Sequence, residues 1–105
     1  MINSTRIQTM IQGLEGVSPP GWKLETDSSS MVTLIYLTGP IKEGRHNEFM
    51  ICISESSVTY WESERKDDDS YFIEREIENP LNLGWLPLQY KEWMIMNLDL
   101  LRKEL

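Results

Sequence analysis

Met31-Val32-Thr33-Leu34-Ile35-Tyr36-Leu37-Thr38, followed after a short gap by Phe49-Met50-Ile51-Cys52-Ile53, decides the fold. Both runs are rich in β-branched and aromatic residues. In the first, Ile35 and Leu37 point one way while Val32, Leu34 and Tyr36 point the other. A strand that is apolar on both faces predicts cover on both faces, whereas a half-solvated strand alternates apolar with polar. These two runs are therefore strands covered on both sides. The second face of their sheet is either closed by the sheet curling on itself or covered by another chain.

Working outward, the flanking segments read as less buried strands. Trp22, Leu24 and Thr26 alternate with Lys23 and Glu25, and Asp27-Ser28-Ser29-Ser30 is a turn signal. Gly39-Pro40 ends the first run, and residues 41–46 read as a charged loop. Residues 58–64 form a fourth strand with Tyr60 and Trp61 on opposite faces, 65–70 a polar hairpin loop, and 71–77 a fifth strand. Helices bracket the sheet. Ile7, Met10, Ile11 and Leu14 make one apolar stripe over 4–15, with Gly16 suited to the end and Ser18-Pro19-Pro20-Gly21 unable to continue it. Pro87 suits the first position of a helix that nothing interrupts before Lys103. The order α-β-β-β-β-β-α with short connections predicts a single α+β domain over residues 1–105, its five-stranded sheet a mostly antiparallel meander.

The last helix has more apolar surface than one packing face needs. Tyr90, Met94, Leu98, Leu101 and Leu105 form a stripe that fits the sheet. Trp93, Met96 and Leu100 form a second stripe, displaced by about 100° on the helical wheel. Either the first helix or the Trp85 connector covers it, or it is an oligomer or partner face, for which Trp and Met are suited.

The chain has 105 residues, 40% of them hydrophobic and 10% aromatic, which places it among folded domains. One cysteine excludes an internal disulfide and a cysteine-based zinc site. With no membrane-length apolar run and no signal-like N-terminus, the expected compartment is the cytoplasm. The net charge is −7, and residues 55–78 hold nine acids against three bases, so one segment carries nearly all of it. Such a field repels phosphate and attracts basic partners.

Catalytic chemistry is hard to assemble. His46 is the only histidine, with Glu48 two residues on able to orient it, and no second group completes a nucleophilic site. Cys52 lies in an apolar strand where a thiolate is disfavoured. Asp67-Asp68-Asp69 lacks the ligand spacing of a calcium loop, the six glycines form no phosphate loop, and no basic patch suits nucleic acid. No catalytic residue, metal site or cofactor is expected.

These features predict a non-enzymatic module that neutralises a basic or nucleic-acid-acting protein by occlusion. Toxin-immunity proteins and phage antagonists of host nucleases work in this way. The expected contact is the acidic hairpin, Glu62, Glu64, Asp67, Asp68, Asp69, Glu74 and Glu76, with Tyr60 or Tyr71 as aromatic anchor. The alternative is a homodimeric chaperone or assembly adaptor that holds a client through Trp93, Met96 and Leu100, or through the uncovered sheet face.

Overall fold

The computed structural model describes residues 4–66 and 70–103. Helix α1 (Ser4–Gly16) leads into strands β1 (Lys23–Ser28), β2 (Val32–Thr38), β3 (Arg45–Ser54), β4 (Val58–Lys66) and β5 (Tyr71–Ile77). A 3-10 turn, Pro80–Asn82, then precedes helix α2 (Leu88–Lys103). The strands form one antiparallel sheet in the order β1-β2-β3-β4-β5, the meander expected from the short connections.

Local chemistry sets the turns. The Ser29 hydroxyl accepts from the amides of Met31 and Val32 and so closes the β1–β2 turn. Ser54 does the same for Ser57 between β3 and β4. Glu43 and Gly44 both take positive φ, 53° and 74°, in a two-residue turn bridged by Lys42 and Arg45. Asn79 caps the 3-10 turn through the amide of Leu81. The carbonyl of Pro87 accepts from Lys91, which makes Pro87 the cap rather than the first turn of α2. At Gly39 a Cβ would sit 3.0 Å from the Trp22 ring, so glycine is what lets that indole lie on the strand end.

Strand β3 begins at Arg45, not Phe49, and its polar first half is a correction to the loop expected there. Arg45, His46, Asn47 and Glu48 stand opposite Lys66, Arg65, Glu64 and Ser63 of β4. Backbone pairing extends the ladder where no apolar face requires it, joined by the cross-strand ion pairs Arg45–Glu64 and Arg65–Glu48.

Both helices lie on one face of the sheet. Ile35 and Leu37 of β2, Phe49, Ile51 and Ile53 of β3, and Tyr60 of β4 are buried there against Met10, Ile11 and Leu14 of α1 and Tyr90, Trp93 and Met94 of α2. Phe49 and Tyr60 stack at 5.9 Å. At one end of this layer Trp22 stacks parallel to Trp85 and meets Tyr90 edge-on. No helix among the described residues is long and apolar enough to cross a membrane.

Tyr90 is fully buried and its hydroxyl lies 3.0 Å from Ser18 Oγ. Burial raises its pKa above 10.0, the Ser18 bond opposing this in part. A raised folded pKa means that this term of stability is complete below pH 10.0 and is lost as pH rises through the folded value. Tyr90→Phe is expected to cost about 1 kcal/mol at neutral pH by deleting the hydrogen bond. It is also expected to flatten the alkaline loss, which urea midpoints at about pH 8 and about pH 11 would measure for both proteins.

Candidate protein-binding face

The residues expected to form the acidic contact divide between the two faces of the sheet. Alternation puts Tyr60, Glu62 and Glu64 on the helix side of β4. Tyr60 is 2% exposed and stacked in the core, so it is no surface anchor. Glu62 is 7% exposed, and its two carboxylate oxygens accept from Arg75 Nε and Trp85 Nε1. It ties β5 and the connector to β4 and is not available to a partner. A buried carboxylate persists only with such donors. Glu64 is half-buried and lies 3.6 Å from Arg45. Asp67, Asp68 and Asp69 lie outside the described residues, as does the side chain of Tyr71.

Trp93 is likewise a core residue: of the two alternatives for the second stripe of α2, its position follows cover by α1. It is 6% exposed, its indole lies over Gly13 of α1, and Nε1 donates to the Met10 carbonyl at 3.0 Å. Met96 and Leu100 remain exposed, at 74% and 40%. They flank a groove of about 400 Å³ between α1 and α2, with Arg6 and Val17 opposite.

The opposite face of the sheet is covered by no element among the described residues. Register defines its side chains. One row crosses all five strands: Glu25, Tyr36, Met50, Trp61 and Glu76. The row above it runs Asp27, Leu34, Cys52, Thr59. The row below runs Lys23, Thr38, Glu48, Ser63, Glu74. Leu34, Tyr36, Met50, Cys52 and Trp61 are half-buried, while Glu25, Asp27, Glu74 and Glu76 on the edge strands are exposed. The result is an apolar strip over the three central strands with carboxylates on both flanks. Cys52, expected to be enclosed, is part of this strip.

His46 and Glu48 share this face, as their spacing implies, but Glu48 pairs with Arg65 at 3.5 Å. His46 Nδ1 is buried and accepts or donates no hydrogen bond among the described residues. With Lys23 and Glu25 these groups border a polar hollow of about 650 Å³. No three His, Cys, Asp or Glu side chains converge on a metal position among the described residues.

Sequence reading missed the row Glu25-Tyr36-Met50-Trp61-Glu76. Its signal was the apolar second face of the central runs, but only the register aligns those residues with acids on both edges. No family model, curated protein or solved structure matches the chain.

Proposed function

We propose that the protein is a non-enzymatic binding module that neutralises a basic protein partner, such as one acting on nucleic acid, by occluding its working surface. The observation that carries this reading is the placement of Glu74 and Glu76. Both are exposed on edge strand β5, beside an uncovered apolar sheet face, in the segment that holds most of the net charge. Acids at a rim accelerate encounter with a basic partner, and an apolar centre retains it. The test is capture from native extract at low and high salt on the wild-type protein and on a Glu74→Lys/Glu76→Lys variant. A stoichiometric basic protein held by wild type at low salt and lost from the variant is the expected result. Retention indifferent to charge reversal would remove the reading.

A second reading, a homodimeric adaptor holding a client through apolar surface, is favoured by Met96 and Leu100 beside the α1–α2 groove. On the first reading Met96→Glu is expected to change stability by no more than about 0.5 kcal/mol, as at other exposed sites. It is also expected to leave the sedimentation coefficient unchanged. A dimer in wild type that dissociates in Met96→Glu would favour the adaptor.

A further inference from the structure

We propose that the uncovered sheet face is a cradle for an amphipathic basic helix of the partner, one whose apolar stripe is flanked on both sides by Lys or Arg. This rests on the reading of the protein as a module for basic partners and names the element it grips.

The geometry of one row selects the occupant. Strands lie about 4.8 Å apart, so Tyr36 and Trp61, two spacings from each other across Met50, stand about 10 Å apart. That is the body width of an α-helix with its side chains, about 10–12 Å. Glu25 and Glu76, four spacings apart, stand about 19 Å from each other at the backbone. A helix lying along β3 would fill the apolar width, and its flanking Lys or Arg side chains would extend past the aromatic rings to both carboxylates. Such side chains lay their stems on apolar surface and carry the charge to the edge. On the way they pass the faces of Tyr36 and Trp61, which attract cations.

Other occupants fit less well. The face presents side chains, with its backbone groups consumed by the ladder, so an extended peptide gains no main-chain pairing here and would seek an edge. A second copy of this chain would crowd like charges, because β5 presents Glu74 and Glu76 and β1 presents Glu25 and Asp27 against the single Lys23. Opposed like charges disfavour that contact. Nucleic acid is repelled by the same carboxylates.

The probe is a synthetic helical peptide of about 18 residues, roughly 27 Å long, with a leucine and tryptophan stripe bordered on both sides by lysines. A matched peptide carries glutamates in place of the lysines. Titration is followed by calorimetry and by amide shifts of the labelled full chain. Shifts centred on β2, β3 and β4, no binding of the glutamate peptide, and affinity lowered at least about tenfold by Glu25→Lys/Glu76→Lys are the expected results. These two carboxylates are exposed, so the variant keeps its fold, which circular dichroism checks. Trp61→Ala, read the same way, is expected to lower affinity by a further factor of about ten. Shifts centred on the Met96 groove, equal binding of the two peptides, a sheet-face homodimer without peptide, or no saturable shift up to about 1 mM would each overturn the proposal. If the peptide fails while Glu74→Lys/Glu76→Lys still releases a captured basic partner, the cradle is wrong and the binding reading stands. If capture is also indifferent to charge, both fall.

Discussion

Trp93→Ala is expected to bring the protein close to unfolding. The indole is buried between α1 and α2 and donates to the Met10 carbonyl, so truncation opens a cavity and removes that hydrogen bond. Large-to-small changes at such sites cost about 3–5 kcal/mol, against total stabilities of about 5–15 kcal/mol for domains of this size. Urea denaturation should show a midpoint shifted by that fraction, with the slope unchanged. Trp93→Glu should be worse, since it buries an unpaired carboxylate in the same place. This separates a core role from an interface role. An interface tryptophan would leave the denaturation midpoint of the monomer unchanged while altering association. A Trp93→Ala protein as stable as wild type would return this residue to the surface.

The second large effect is kinetic. Glu74→Lys/Glu76→Lys changes the charge of an edge strand by four units without touching the core, because both side chains are exposed. With a basic partner in hand, stopped-flow association is expected to slow by about tenfold or more at low salt, with a much smaller change in dissociation. Rim charges act on encounter, and steering spans about 10–1000-fold. The difference between variant and wild type should shrink as ionic strength rises, since the Debye length falls to about 8 Å at physiological salt. An association rate that is unchanged, or equally salt-dependent in both proteins, would mean that β5 does not steer. Glu62→Lys is not a substitute for this test. Its carboxylate holds Arg75 and Trp85, so reversal there would damage the sheet and confuse binding with folding.

In this protein a residue's chemistry and its position diverge. Glu62, Glu64, Glu74 and Glu76 look alike in sequence, within one acidic segment. Register sends Glu62 inward to Arg75 and Trp85, sets Glu64 beside Arg45, and leaves Glu74 and Glu76 on the open face. The parity of β4 was legible, since Tyr60 and Trp61 had to face opposite ways. Carried one step further, the same parity would have put Glu62 beside Tyr60 in the covered layer. What it could not supply was the donor from Trp85, which arrives from 23 positions away along the chain.

By itself the sequence determined the element order and the meander. These follow from local periodicity and short connections, which act over a few residues and leave few topologies open. It also determined that the second face of β2 and β3 would be apolar. Which part of the second stripe of α2 is buried was decided only by tertiary structure, because α1 packs over Trp93 and accepts its Nε1 hydrogen bond at Met10 while Met96 stays outside. The binding face was decided in the same way. Tyr36, Met50 and Trp61 lie on three different strands, and Glu25 and Glu76 on the two outermost ones. Their alignment in one row is a consequence of register, which the buried face of the sheet sets by packing against the helices, and of which the exposed face carries only the result.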